Sequence, residues 1–330
     1  MVNYEPAGYE PQLYDFDHEN QLLAWNRFPP TPGLPLDKAQ KQGLIELPTG
    51  AKVWHAIFGI PLETSLKEHK PPLLFLHGGL GHSGHSGYQV GHFMDKYTVI
   101  VVDERGHGRS PCEGEAFWGR DNPDKMLTYD MLSDDVVHLL DAYNILKAAF
   151  VGIFGEGSVL TYNILSRYPH RVDRAFCFGP IFDVNKTESN RVTILPHCVE
   201  FFQRGEKEWK ELHPGADWNA FFDPYIKLWL TEPVWEESTF HNLPIRGVKK
   251  AAPIVWVVSA DHDDLIPEIH PKTLFKWVKN SSWMQLPGAG HLAYIHTPEL
   301  YNKAVEMWLE DRQDDLIPTK PQLKDFSKES

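Results

Sequence analysis

The stretch "AAFVGIFGEGSVLTYNILSRYPHRV", residues 148–172, combines an apolar run, a cluster of glycines and a helical pattern that ends at Tyr168-Pro169. A strand that enters a helix through so tight a turn thrusts the side chain at its apex clear of the backbone, where a nucleophile is wanted. Counting forward from the apolar run puts that apex on Phe154. Counting back from the helix end puts it on Gly155, and the helix side is the firmer guide because close glycine packing is set there. Neither residue supplies an oxygen or sulfur. Ser158, three residues on, is the alternative attacking group, although it falls in the first helical turn and should face the sheet. Glu156 adjoins the apex, either with its carboxylate aimed into a pocket or, as expected here, as a favourable charge at a helix N-terminus.

Three further segments carry residues able to act. In "LPGAGHLAYIHTPE" a glycine turn presents His291, whose imidazole suits general base work near neutral pH. In "VVSADHDDLIP" an apolar run ends in Asp261, Asp263 and Asp264, any of which could orient a histidine and stabilise its imidazolium form. Apart from His262 no His, Cys or Glu stands near these acids at ligand spacing, so no metal is expected. In "HGGLG", His77 to Gly81, glycines let backbone N–H groups approach a substrate oxygen. In "DERGHGRS", Asp103 and Arg105 are expected to hold loops by ion pairing, with His107 a loop residue rather than a base.

These segments need a frame. "PPLLFLHGGLG", "YTVIVVDERGHGRS", "KAAFVGIFG", "RAFCFGP" and "APIVWVVSAD" are apolar throughout rather than alternating, as strands covered on both faces must be. Helical patterns separate them, such as "LTYDMLSDDVVHLLDAYNIL", which sets Met131, Val136, Leu139 and Leu140 on one stripe, and "TPELYNKAVEMWLED", with Thr297 as its N-cap. "LIELPTGAKVWHAIFGI" reads as two strands joined at Thr49-Gly50. The fold class is therefore α/β, a doubly wound, mostly parallel sheet. Residues 1–43 form an N-terminal arm that packs loosely or wraps the body, residues 44–180 and 249–312 the core, and residues 313–330 a frayed tail. Residues 181–248, with Trp209, Trp218, Trp229 and Trp235, read as a helical lid whose aromatics chiefly pack it onto the core, with lining of an apolar pocket the alternative.

A net charge of −13 argues against nucleic acid or an anionic membrane as partner. The three cysteines, Cys112, Cys177 and Cys198, show no paired spacing, and the N-terminus has no basic-then-apolar leader, so a reducing, cytoplasmic setting is expected. No cofactor is called for, and the expected partner is a small-molecule substrate. Nothing in the sequence sets an oligomeric state.

Taken in order, "LLFLHGGLGHSG", "YTVIVVDERGHGRSP", the glycine elbow with "RYPHRV", "SADHDDLIP" and "PGAGHLAYIHTPE" resemble the α/β-hydrolase fold family over roughly residues 43–310. Within it the chain is most similar to the group of proline iminopeptidases, C–C bond hydrolases, lactonases and small-ester hydrolases. The resemblance implies His291 as general base and Asp263, rather than Asp261 or Asp264, as its orienting acid, because Pro267 stands at the family's distance from Asp263. It implies an oxyanion hole from the N–H groups of Gly79 and of Glu156, and it places Gly155 where the family carries its serine. A proline iminopeptidase would also need an acidic pocket for a free amine, for which the lid offers Glu200, Glu206, Glu208 and Glu211, whereas "HGGLG" departs from that subgroup's "HGGPG".

Three functions fit this pattern. The leading one is a hydrolase of a small, rather apolar ester, lactone or amide, of the kind found in specialised metabolism, with a His–Asp pair and no evident serine nucleophile. The others are a non-hydrolytic His/Asp acid–base enzyme (lyase, isomerase or cyclase) and an inactive member of the fold that binds a ligand or a protein.

Overall fold

The computed structural model describes residues 28–120, 122, 124–187, 195–244, 252–279 and 281–311. The expected frayed tail, residues 313–330, and residues 1–27 of the arm lie outside them. Eight strands form one sheet: β1 Lys41–Glu46, β2 Lys52–Gly59, β3 Leu73–Leu76, β4 Thr98–Asp103, β5 Ala148–Gly152, β6 Val172–Phe178, β7 Ile254–Ala260 and β8 Ser281–Leu286. Their spatial order is β1-β2-β4-β3-β5-β6-β7-β8. β1 and β2 pair antiparallel, as does β2 with β4, and every other pairing is parallel. Every residue of β3, β4 and β5 is buried, which is why their sequences do not alternate.

Six helices matter to the site: α1 Tyr129–Ala142, α2 Glu156–Arg167, α3 Pro196–Leu212, α4 Trp218–Thr231, α5 Ile269–Trp277 and α6 Pro298–Glu310. The pleat of β6 shows how both faces are covered. Phe176 packs edge-on against Tyr301 and Trp308 of α6, while its neighbour Cys177 faces Tyr162 of α2 on the other side. α2 is buried from Glu156 through Leu165, and glycines let it approach the sheet. A Cβ at Gly157 would lie 2.3 Å from the Leu76 carbonyl oxygen. The Thr297 side chain does not cap α6; its hydroxyl donates backwards to the Ala293 carbonyl at 3.1 Å.

Sheet order reverses direction at β3, between β4 and β5, so loops leaving the carboxyl ends of β3 and β5 diverge there and open the crevice where ligands of such sheets sit. The glycine loop follows β3 and the elbow follows β5. Over this edge lie α3 and α4. Trp209 stacks on Phe221 with centroids 5.1 Å apart, and Trp218 on Phe222 at the same separation. Trp209 Nε1–H donates to the Gly106 carbonyl at 2.7 Å and the Tyr225 hydroxyl to that of Arg105 at 2.8 Å. Most lid aromatics therefore pack, as their spacing suggested. The described part of the N-terminal arm wraps rather than floats: Phe28 is buried against His85 and Phe201. No helix is long and apolar enough to cross a membrane among the described residues.

Candidate active site

The turn between β5 and α2 has its apex at Gly155, with φ +45° and ψ −110°. Side chains seldom adopt this backbone, since it crowds Cβ against neighbouring carbonyls. Phe154, the other candidate, has its ring packed away: it stacks on Tyr294 at 5.2 Å and meets His291 and Phe201 edge-on. A Cβ built on Gly155 would touch nothing within 4 Å. The tight turn is thus retained and its apex opens onto free space.

His291 and Asp263 come together beside it. His291 Nδ1 lies 3.2 Å from each Asp263 carboxylate oxygen, and both side chains are buried. Asp263 Oδ1 also accepts the backbone N–H groups of Leu265 and Ile266 at 3.0 and 2.9 Å, which fixes the carboxylate. Nδ1–H toward Asp263 leaves a lone pair on Nε2, for which no hydrogen bond is found among the described residues. The backbone of Gly179 stands between dyad and elbow: a Cβ there would lie 3.6 Å from Asp263 Oδ2 and 3.8 Å from both the Gly155 nitrogen and His291 Cε1. Of the other two acids, Asp261 accepts from Gly288 and Ala289 and braces the turn that carries His291, and Asp264 is partly exposed. Across the crevice, neither the Gly79 N–H nor the Glu156 N–H donates to any acceptor among the described residues.

The alpha/beta hydrolase fold family model matches residues 71–205. The chain is 22% identical over 284 residues to esterase YbfF of Escherichia coli (strain K12), covering 76% of this chain and 98% of that protein. It is 25% identical over 277 residues to serine hydrolase BPHL of Homo sapiens, covering 79% and 87%. Among solved structures it superposes on a meta-cleavage product hydrolase from Pseudomonas fluorescens IP01 with a TM-score of 0.59 at 16% identity, covering 82% and 98%. The enol-lactonase from Burkholderia xenovorans LB400 gives 0.57 at 15%, covering 81% and 99%. The chain has the α/β-hydrolase fold.

The elbow apex carries no side chain, since Gly155 stands there, and Ser158 does not reach it. Ser158 is buried, and its hydroxyl reaches the carbonyls of Phe178 at 2.6 Å and Gly152 at 3.1 Å, so it pins α2 to β5 and β6. The physical reason is helical position: three residues past the apex, the side chain points back to the sheet. The free-amine pocket sought among the lid acids is not assembled either. Glu200 accepts the Phe28 N–H, Glu206 pairs with Lys210, and Glu208 is held by His82, His85 and Arg204. Glu211 lies with Glu206 along an outer groove of α3.

Glu156 is the larger surprise. Its carboxyl is not a solvated helix-end charge but is buried. Oε1 accepts Trp229 Nε1–H at 2.9 Å, and Oε2, with no partner, lies where a Gly79 Cβ would come within 2.8 Å of it. Burial, only partly offset by the Trp229 hydrogen bond, pushes its carboxyl up to about 7. Glu104 is nearby, with neither carboxyl oxygen partnered; burial first and then the Glu156 charge raise it well above the usual range. Asp103 and Arg105 hold loops as expected: Asp103 accepts from Ser83 and Arg109, and Arg105 forks onto Asp135.

Among the described residues two side-chain groups have metal-like composition, His77/Glu104/His107 and His82/His85/Glu208. In each, one imidazole is already committed. His77 Nδ1 bonds the Gly78 carbonyl while its Nε2 accepts the Glu104 N–H, and His82 Nδ1 accepts the Gly84 N–H while Nε2 faces Glu208. A neutral imidazole bonded at both nitrogens has no lone pair left for a metal. Sequence reasoning missed His197 at the start of α3. It is buried, its Nε2 stands 3.5 Å from Asp264, and both ring nitrogens lack a hydrogen bond. Burial, reinforced by His291 and His296, lowers it to about 4 and keeps it neutral.

Proposed function

We propose that this α/β-hydrolase hydrolyses a small, rather apolar ester or lactone without a covalent intermediate, using the His291–Asp263 pair to activate water. The observation that carries the reading is the unbonded Nε2 of a buried, carboxylate-oriented His291 beside an elbow whose apex, Gly155, leaves open space. In that space water does what a serine hydroxyl would do. His291 Nε2 takes a proton from it as its oxygen attacks the carbonyl carbon. The developing oxyanion accepts from the N–H groups of Gly79 and Glu156. On collapse the C–O bond breaks and the proton on Nε2 passes to the leaving oxygen, while Asp263 stays ionised throughout. The names of the relatives, esterase and serine hydrolase, support the reaction class. The ring of Phe154, which lies against His291 and is backed by Phe201, supports an apolar substrate.

The test is turnover of short-chain p-nitrophenyl esters and aryl lactones by the native chain and by His291→Ala, with intact-mass spectrometry during steady state. Turnover that His291→Ala removes, with no acyl adduct, is expected. Full activity of His291→Ala, or an acyl group on Ser158, overturns the mechanism.

A further inference from the structure

We infer that Glu156 works as a carboxylic acid whose Oε2–H donates to the substrate's carbonyl oxygen as charge develops there, beside the N–H groups of Gly79 and of Glu156 itself. The inference rests on the hydrolytic reading and adds a catalytic residue to it.

The geometry begins with the two oxygens of one carboxyl. Oε1 is taken by Trp229 Nε1–H, an acceptor role that leaves Oε2 as the atom to carry a proton. Oε2 is buried and has no partner, and it lies against Gly79. One residue therefore offers its N–H at the elbow and its carboxyl at the glycine loop, the two sides of the crevice.

The surroundings favour the acid form. From the loop after β4 comes Glu104, itself unpartnered; from α1 comes Tyr129; from α4 come Tyr225 and Trp229. None is cationic, and the guanidinium of Arg105 is committed to Asp135. An ionised Glu156 would be a buried charge without a counter-charge, next to a second acid. The neutral acid is a donor lacking an acceptor in the protein, and an oxyanion supplies one. Donation then costs no reorganisation, since Trp229 already fixes the carboxyl plane.

The experiment is the pH dependence of kcat for a p-nitrophenyl ester in the native chain, Glu156→Gln and Glu156→Leu. The native rate should fall as pH rises above about 7, where the carboxyl loses its proton. Glu156→Gln keeps a donor that cannot titrate, so it should be slower yet lose the alkaline fall. Glu156→Leu should lose ~10²-fold or more at every pH, the scale of one oxyanion donor. A second readout does not need turnover: the infrared carbonyl stretch of a protonated carboxyl, titrated in the native chain and in His291→Ala, and missing in Glu156→Gln. An alkaline fall that persists in Glu156→Gln overturns the inference, as does a carboxyl band lost in the ordinary carboxylate range. If His291→Ala stays active while the band titrates near 7, the hydrolytic reading fails and the acid form of Glu156 stands.

Discussion

Among the histidine–carboxylate groups of the described residues, His291–Asp263 and His82/His85–Glu208 make the sharpest contrast in how their carboxylates are used. At the dyad, Asp263 is held by two backbone N–H groups and by His291 Nδ1, while the elbow apex nearby, Gly155, has room for a Cβ. In the other group Glu208 of α3 joins His82 and His85, which follow the glycine loop, at 3.1 and 2.9 Å, and takes Arg204 on its second oxygen. Arg204 in turn holds the Pro29 carbonyl at 2.8 Å and lies over the Phe28 ring. The dyad keeps one reactive atom in reserve; the second group spends its carboxylate wholly on clasping lid, loop and N-terminal arm together. Composition alone does not separate a site from a clasp, and neither does one unbonded atom, since His85 Nδ1 is unpartnered too; what marks the clasp is a carboxylate closed on three partners from loop and helix.

The sharpest way to break this comparison is to delete each centre. His291→Ala should lose ~10²–10⁴-fold in kcat, the usual share of a general base, with its melting temperature nearly unchanged. Glu208→Ala should do the reverse. It strands His82, His85 and Arg204, and a partly buried network of this kind is worth about 2 kcal/mol after allowing for its exposure. Calorimetry would read it, and the lid should become the first segment to exchange its amide protons. Burial opposes ionisation of Glu208, but the hydrogen bonds from the two imidazoles and Arg204 outweigh it and hold its carboxyl well below the ordinary 4.5. A depressed carboxyl contributes fully above its unfolded value and loses that contribution as pH falls below it. The stability gap between the native chain and Glu208→Ala should therefore narrow below about pH 4.5. A gap that does not change with pH would show that the clasp holds by packing alone.

Glu156 has the opposite sign. Its folded carboxyl is raised, so its contribution is present below the unfolded value of 4.5 and is lost as pH rises through about 7. Glu156→Gln should match the native melting temperature at pH 4 and exceed it at pH 8.5, by an amount on the order of 1–3 kcal/mol. Equal melting temperatures at both values would mean that the carboxyl is solvated.

The frame was readable from the chain because buried parallel strands have one sequence solution: the unbroken runs that became β3, β4 and β5 left no second face to assign. His291 and a group of strand-end acids stood out because turns rich in glycine and acids mark strand ends; the choice of Asp263 among them came from the family resemblance, and that residue lies 3.2 Å from His291 Nδ1. Ser158 could be judged from helical position alone. Glu156 was misjudged because a glutamate in a first helical turn usually faces water; its signal was the apolar company on every side, "FGEGSVL", in a helix buried all round. The bond from Trp229 to Glu156 and the placing of His197 escaped for another reason. Both residues belong to lid helices, whose residues make sense only once α3 and α4 are laid over the crevice. Glu104 was passed over between Asp103 and Arg105, whose pairing roles were easier to imagine than a carboxyl with no partner.

Gly155→Ser gives the smallest change in stability and the finest test of the elbow. At φ +45° a side chain strains the backbone, costing about 1–2 kcal/mol relative to glycine, yet a Cβ there meets no atom within 4 Å, so no packing term adds to the strain. The variant should fold with a slightly lower melting temperature and place an oxygen on the side of the elbow that faces His291. Reaction with a fluorophosphonate probe, mapped to residue 155 and abolished by adding His291→Ala, is the expected outcome. An unreactive but folded variant would mean that His291 is not poised for a nucleophile at this apex. Water could then not be activated there either, and the difference between dyad and clasp would reduce to one of position.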